Sequence, residues 1–245
     1  MFPVQLVVFD MAGTTVQDKQ VVENCFYDAA VQTGLQVTRR RLNEMHGMPK
    51  RVVIETCWAE MIGSDHPDLE NRVEKTFQKF RELLETHYLT HPVLPTEGAL
   101  ETFAWLRSKG IKIALTTGFY REVTNIILQR LGWDKGLDAN YRGSADSIID
   151  LSLTPNETGK GRPHPDMILK AIEILDITDV KNVINIGDTP ADLQSGRAAG
   201  CLLSLGVTNG SHTREELMLH DNDGLLDSML EFPAFVEKAL RNIPA

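Results

Sequence analysis

Asp10, Thr116, Thr117, Asp188 and Asp192 each stand at the end of an apolar run or just beyond it. VQLVVFD (4–10) delivers Asp10 into the small-residue turn Ala12-Gly13-Thr14-Thr15. IKIALTTG (111–118) delivers Thr116, Thr117 and Gly118, and NVINIGDTPAD (182–192) delivers Asp188 and Asp192. Binding crevices of parallel α/β sheets lie outside the carboxyl ends of the strands, so neighbouring strands would bring all these groups to one edge. Carboxylates gathered there are costly unless a cation is bound. Oxygen donors suit a hard divalent ion, and Mg²⁺ takes one or two carboxylates together with waters and phosphate oxygens. GKGRPHPD (159–166) adds Lys160 and Arg162 ahead of a helix start. A guanidinium there can hold an anion through paired N–H bonds, whereas Lys160 reads more simply as a loop charge. Carboxylate, hydroxyl, cation and metal together are the equipment of phosphoryl transfer, in which one oxygen attacks phosphorus in line and the others neutralise charge.

The elements that would position these groups follow from hydrophobic spacing. Residues 4–9 read as a fully buried strand. Between residues 18 and 92 the pattern turns helical throughout. VVENCFYDAAVQTGL, TRRRLNEMHG, PKRVVIETCWAEMIG and DLENRVEKTFQKFRELLETHYL are separated by Gly, Pro or Ser-Asp punctuation. HPVLPTEG (91–98), with two prolines before a helix start, reads as a hinge. Helices and strands then alternate as far as CLLSLGV (201–207), which predicts a doubly wound parallel sheet with helices on both faces. The expected organisation is a core of residues 1–17 and 93–245 with an all-helical insert at 18–92. Residues 144–161 read mostly as loop.

Composition excludes some classes of function. A net charge of −9 disfavours a nucleic-acid partner, which would need a basic surface. An anionic small molecule remains open if the site supplies local positive charge. Cys25, Cys57 and Cys201 are odd in number and widely spaced, which suits small core residues in a reducing compartment rather than a disulfide framework or metal knuckle. No apolar run approaches membrane-spanning length and no signal-peptide pattern opens the chain, so a cytoplasmic location without membrane association is expected. Oligomeric state is left open, up to a homodimer.

DMAGTT, the strand ending in Thr116, the cation before PHPD and GDTPAD occur in the order and spacing of the haloacid dehalogenase superfamily, which the chain resembles over nearly its whole length. The resemblance implies a Rossmann-like core with a mobile helical cap. It implies that Asp10 is the nucleophile of an aspartyl-phosphate intermediate. Mg²⁺ would be held by Asp10, the backbone carbonyl of Ala12 and Asp188, with Asp192 as ligand or support. Thr116 with the Thr117 and Gly118 backbone would bind phosphoryl oxygens, and Arg162 would stabilise nucleophile and phosphate.

Two departures narrow this. Most phosphatases of the superfamily carry Asp two residues after the nucleophile, where it protonates an ester oxygen; here that residue is Ala12. Most carry Lys where this chain has Arg162. Both features resemble the phosphonatase branch. Cleaving a carbon–phosphorus bond leaves a carbanion with no oxygen to protonate, and a lysine iminium supplies the electron sink. The branch places that lysine in a G-x-x-K segment of the cap, and Gly47-Met48-Pro49-Lys50 makes Lys50 the candidate, with a solvated surface lysine as the plainer reading. The match is partial: Glu44-Met45-His46 replaces the usual Pro-Met-Gly lead-in, and Val53 stands where a histidine is usual. His46 reads as a loop or packing residue, or as a substitute proton relay. Phe119 and Tyr120 read as pocket wall or as core, His164 as structural, and Arg39-Arg40-Arg41 as a solvated helix face.

The leading expectation is a Mg²⁺-dependent hydrolase of a small phosphorylated or phosphonylated metabolite. The narrower enzymes are a true phosphonoacetaldehyde hydrolase acting through a Lys50 Schiff base and a phosphatase for esters with good leaving groups. A non-catalytic phosphate-binding regulator is the competitor from another class. Dehalogenation, which needs no metal, would leave Asp188 and Asp192 idle.

Overall fold

In the computed structural model, which describes residues 3–241, the first strand lies at the centre of the sheet. The ends of the expected core, residues 1–2 and 242–245, lie outside the described residues. β1 (Leu6–Asp10) is buried along its whole length, as a parallel strand covered on both faces must be. Its alternate side chains feed two cores. Val7 and Phe9 join one with Phe103 and Phe232, while Leu6 and Val8 join the other with Ile168 and Ala171.

The chain leaves β1 through a tight turn and enters four helices: α1 (Val21–Thr33), α2 (Arg39–Glu44), α3 (Lys50–Ile62) and α4 (Leu69–Thr90). α4 packs on both α1 and α3. Phe26 meets Phe80 at 5.1 Å between ring centroids, and buried Trp58 donates its indole N–H to Thr76 at 2.9 Å. The expected all-helical stretch is therefore found, and its buried side chains are continuous with the apolar cluster on one face of the sheet. Its entry and exit run side by side. Gln17 N–H donates to Leu94 O at 2.9 Å, and Thr96 N–H donates to Thr15 O at 3.0 Å.

The remaining elements are α5 (Ala99–Ser108), β2 (Lys112–Thr116), α6 (Arg121–Leu131), β3 (Leu151–Leu153), α7 (Pro155–Thr158), α8 (Asp166–Ile174), β4 (Val183–Gly187), α9 (Pro190–Ala199), β5 (Leu203–Val207), α10 (Arg214–Leu217), β6 (Gly224–Leu226) and α11 (Phe232–Arg241). All strand pairs are parallel, in the order β3-β2-β1-β4-β5-β6. This is the expected doubly wound α/β architecture. β1 lies between β2 and β4, so the strand order reverses beside Asp10, where such sheets open a crevice. Asp10 pairs in register with Thr116, and Phe9 with Ile186, which sets Asp188 just past the end of β4.

Residues 144–161 are mostly loop, as expected, but not wholly so. They contain β3 and α7, an edge strand of three residues and a helix of four. Three residues are too few for a period to emerge, but the helix start was signalled. Thr154 and Glu157 form a capping box with Pro155 in the first turn. β6 and α11 extend the fold beyond CLLSLGV, the last strand anticipated.

Candidate active site

Asp10, Asp188 and Asp192 converge as expected. A carboxylate oxygen from each lies within 4.8 Å of the others, and all three residues are buried. Gly13 makes this approach possible: its φ of +92° suits glycine, and a Cβ there would lie 2.3 Å from Asp188 Oδ2.

Each carboxylate is held differently. Asp10 Oδ1 lies 2.6 Å from Arg162 Nη2. Arg162 Nη1 reaches Asp192 Oδ1, so one buried guanidinium bridges two acids. The other oxygen of Asp192 accepts the Thr189 N–H at 3.1 Å and its hydroxyl at 2.6 Å, closing a capping box on α9. Both Asp192 oxygens are thus engaged by the protein. Asp188 Oδ1 accepts the Thr14 hydroxyl at 3.2 Å, and Oδ2 accepts the Ser211 N–H and hydroxyl, both at 2.7 Å.

Three buried acids against one guanidinium leave excess negative charge. Burial, reinforced by Asp188 and opposed by Arg162, pushes Asp10 up to about 6. Burial also raises Asp188, against the Ser211 hydrogen bonds. Such a set of hard oxygen donors fits a divalent metal, which would neutralise that excess. Arg162 Nε is a buried donor without a hydrogen-bond partner among the described residues, a further sign of a site built to receive an anion.

Thr116 donates its hydroxyl to Phe9 O at 3.4 Å, and Thr117 Oγ1 accepts the Phe119 N–H at 3.1 Å, shaping the turn after β2. Gly118 lies at the seam with the helical segment. A Cβ there would fall 2.6 Å from Gly47 O and 2.7 Å from Met48 O. The 46–50 loop is therefore closed down on the core.

That closure buries Lys50, which is 6% exposed. It shares a small cavity with Asp10, Ala12, His46, Thr117, Gly118 and Phe119. The plainer reading of Lys50 as a surface charge is overturned: its amine lies 5.8 Å from the Phe119 ring centroid. Burial, reinforced by Arg162 and opposed by Asp10, lowers it to about 8. The shared cavity measures 10 Å³, room for about one water. A second cavity of 240 Å³ begins on another side of Lys50, between Phe77, Phe119, Tyr120, Arg51 and Arg81. Two cavities of 580 Å³ lie elsewhere, one at the paired linkers and one beside Pro3–Gln5.

His46 borders the small cavity and meets the His212 ring edge-on at 6.4 Å. Burial and Lys50 hold its imidazole well below the ordinary range, so it is neutral near pH 7. Lys160 is exposed, as a loop charge should be, while His164 leads into α8 and accepts the Ser195 hydroxyl through its carbonyl.

Sequence reasoning missed Thr14, Ser211 and Asp18. Thr14 lies inside the first motif, and Ser211 follows the end of β5, where the strand-end rule also points. Asp18, two residues before the N-cap of α1, accepts the Val21 N–H at 2.7 Å, and its charge acts on Lys50, Asp10 and Asp188. Among the described residues the three cysteines are free, and no helix is long and apolar enough to cross a membrane.

Residues 4–200 match the family model for haloacid dehalogenase-like hydrolases. A phosphonoacetaldehyde hydrolase of Bacillus cereus (strain AH187) is 30% identical over 223 residues, covering 85% of this chain and 77% of that protein. A bifunctional phosphonoacetaldehyde hydrolase/aminoethylphosphonate transaminase of Clostridioides difficile (strain 630) is 30% identical over 241 residues, 92% of this chain and 35% of that one. In fold the chain is similar to a phosphonoacetaldehyde hydrolase-like protein from Oleispira antarctica, with a TM-score of 0.75 at 20% identity over 98% of this chain and 93% of that one.

Proposed function

The chain belongs to the haloacid dehalogenase-like hydrolases, and from that membership we propose that it is a Mg²⁺-dependent, phosphonatase-type hydrolase acting on a small carbonyl-bearing phosphonate. One observation carries the reading: a buried lysine amine shares a cavity with Asp10, and Ala12 stands where an ester-cleaving enzyme needs an acid. The similarity to phosphonoacetaldehyde hydrolases supports it.

The four-helix segment is the cap on this reading. A 10 Å³ cavity admits no substrate, so the cap opens for binding and closes to exclude bulk water. The Lys50 amine adds to the substrate carbonyl and loses water, giving an iminium. An Asp10 oxygen then attacks phosphorus in line. The carbon–phosphorus electron pair becomes a C=C bond to the adjacent iminium carbon as the C=N π pair moves onto the Lys50 nitrogen, leaving an enamine on Lys50 and a phosphoryl group on Asp10. Protonation and hydrolysis release the carbonyl product and restore the amine. A second water cleaves the aspartyl-phosphate to inorganic phosphate. Arg162, Thr116 and the Thr117–Gly118 backbone hold the phosphoryl oxygens. Asp10, Asp188 and the Ala12 carbonyl would hold Mg²⁺, with Asp192 as ligand or, through Arg162 and Thr189, as support. Bound there, Mg²⁺ supplies charge neutralisation between the attacking carboxylate and the phosphoryl group.

The environment of Lys50 suits this role. With its ionisation near 8, roughly a quarter of the molecules carry a free amine at pH 7.5, against about 0.1% for an ordinary lysine. Borohydride added with phosphonoacetaldehyde should therefore inactivate the enzyme and leave a reduced adduct on Lys50. Labelling should rise from pH 7 to pH 8 and level off above pH 9. Absence of a labelled lysine by peptide mass mapping sinks the carbon–phosphorus reading.

Val53 favours a second reading. It is buried and apolar at the place of the branch's histidine, so no proton relay follows Lys50 there. An enzyme for aryl or acyl phosphates needs neither that relay nor a general acid. Ala12→Asp would supply the acid, worth about 10²–10⁴-fold in general, so alkyl-ester turnover should rise by about 10² or more. Unchanged steady-state rates on alkyl esters would show that the acid's absence does not limit them.

A further inference from the structure

Lys50 borders two cavities. Asp10 lines the small one with it, whereas the other, of 240 Å³, is not lined by Asp10. Lys50, Gly118 and Phe119 line both, so the two spaces adjoin where the Lys50 amine faces the Phe119 ring. In the outer space Pro49, Phe77 and Arg81 face Phe119, Tyr120 and Pro155 across the seam between the helical segment and the core. The mechanism proposed above uses only the small cavity. The outer one is smaller than the roughly 300–1,000 Å³ typical of sites for whole drug-sized ligands, so it suits a single substituent.

Its walls are mainly aromatic rings and proline rings. Phe77 meets the Tyr120 ring edge-on at 5.6 Å, with Phe119, Pro49 and Pro155 beside them. The polar groups around it are engaged with one another. The Tyr120 hydroxyl donates to Glu85 at 2.8 Å, Arg81 pairs with Glu85 and Glu122, and Arg51 pairs with Glu55 and Glu70. The Arg81 guanidinium lies 4.7 Å from the Tyr120 ring centroid. Asn156 accepts the Arg121 N–H through its carbonyl at 3.1 Å. Glu55, Glu70, Glu85 and Glu122 outnumber Arg51 and Arg81, so this rim does not call for a second anionic group. Ring faces are what remain for a ligand, and they favour an apolar, planar group.

The order of groups in a carbonyl phosphonate fits this arrangement. Phosphorus, methylene, carbonyl carbon and distal substituent follow one another along the molecule. With phosphorus at Asp10 and the carbonyl carbon on the Lys50 nitrogen, the distal substituent is carried past Lys50, toward the space that Lys50 borders and Asp10 does not. We infer that the 240 Å³ cavity is a subsite for an apolar, preferably aromatic, substituent on the carbonyl carbon, so that the substrate is a ketone phosphonate rather than an aldehyde. This rests on the proposed reading of the site as one for a small carbonyl-bearing phosphonate. Overall, the ketone phosphonate and one water give a methyl ketone and inorganic phosphate. The carbon–phosphorus bond breaks, the water's hydroxyl ends on phosphorus and its proton on carbon. An aldehyde, with hydrogen in place of the substituent, leaves the subsite unfilled.

The test compares 2-phenylethylphosphonate with ethylphosphonate, which differ by the distal ring and cannot form an imine. Binding is measured by calorimetry with Mg²⁺ on the full chain, in competition with inorganic phosphate. The wild type should bind the phenyl compound at least about tenfold more tightly, since one extra methylene in an apolar pocket already reaches that ratio. Phe77→Asp, which sets a carboxylate among the rings, should bring the ratio close to one. Phe77→Leu, which keeps apolar packing and so protects the fold, should lower it about 2–10-fold, the worth of an aromatic pair beyond its area. Reading the ratio within each protein cancels any general loss of binding. Equal affinities in the wild type overturn the inference, and so does a ratio that survives both substitutions, which would seat the ring elsewhere. Turnover of phosphonoacetaldehyde without release of acetophenone from 2-oxo-2-phenylethylphosphonate overturns the substrate assignment. In those cases, displacement of phosphate by ethylphosphonate leaves the reading of the site standing; failure of the wild type to bind phosphate or either phosphonate removes that reading as well.

Discussion

Asp10→Asn abolishes turnover, with kcat falling by at least about 10⁴-fold, the scale seen when a nucleophile is removed from an otherwise intact site. The amide has the carboxylate's shape but cannot form the aspartyl-phosphate. Stability should move the other way. The Asp10 carboxyl is pushed up to about 6 from an ordinary 3.8, so between these values the folded state binds more protons than the unfolded state. Stability of the metal-free wild type therefore falls as pH rises through that window, and the deficit is complete above about pH 6. Asparagine does not titrate. In chelator, the melting temperature of Asp10→Asn relative to wild type should thus be higher at pH 7.5 than at pH 4. Adding Mg²⁺ at pH 7.5 should stabilise the wild type more than the variant. Residual turnover by Asp10→Asn, above that of a mock preparation, would remove Asp10 from the nucleophile's role. A wild type that turns over nothing across a broad panel, yet binds phosphate with Mg²⁺, would instead favour the regulatory reading.

Asp10, Thr116 and Asp188 were legible because each is attached to a pattern. A buried parallel strand reads as an unbroken apolar run, and the residue that ends the run must lie at the sheet's edge. α1, α3 and α4 were legible for the corresponding reason, a 3.6-residue period over several turns. β3 was not, because three residues define no period, and its side chains are buried by residues distant in sequence. Tyr88 shows a different limit. Helical spacing places it on the apolar face of α4, where a ring belongs, but only the packed structure shows that its buried hydroxyl has no hydrogen-bond partner among the described residues. Asp192 shows a third. The resemblance implied a ligand or a support, and only the packed structure shows its oxygens shared between the α9 cap and Arg162. Closure of the 46–50 loop, which turns Lys50 from a surface charge into a buried amine, depends on contacts with Gly118 that no local pattern encodes.

Arg162→Met should be the most damaging substitution for stability. The guanidinium is 2% exposed and touches both Asp10 and Asp192. Removing one partner from a buried ionic network leaves uncompensated charge, at a cost of about 3–5 kcal/mol. For a chain of this size that corresponds to roughly 6–20 °C in melting temperature. Mg²⁺ should recover part of the loss, because it neutralises the same acids. Arg162→Lys separates charge from geometry. An ammonium retains the positive charge but, as a point donor, does not reproduce the planar fork that spans two carboxylates. Arg162→Lys should therefore keep most of the stability while kcat falls about tenfold or more. If instead Arg162→Lys and Arg162→Met melt at the same temperature, charge compensation is not what Arg162 contributes, and the stability of the cluster must come from the hydrogen bonds of Thr14, Thr189 and Ser211. Calorimetric scans of both variants with and without Mg²⁺, read beside their kcat values, decide between the two.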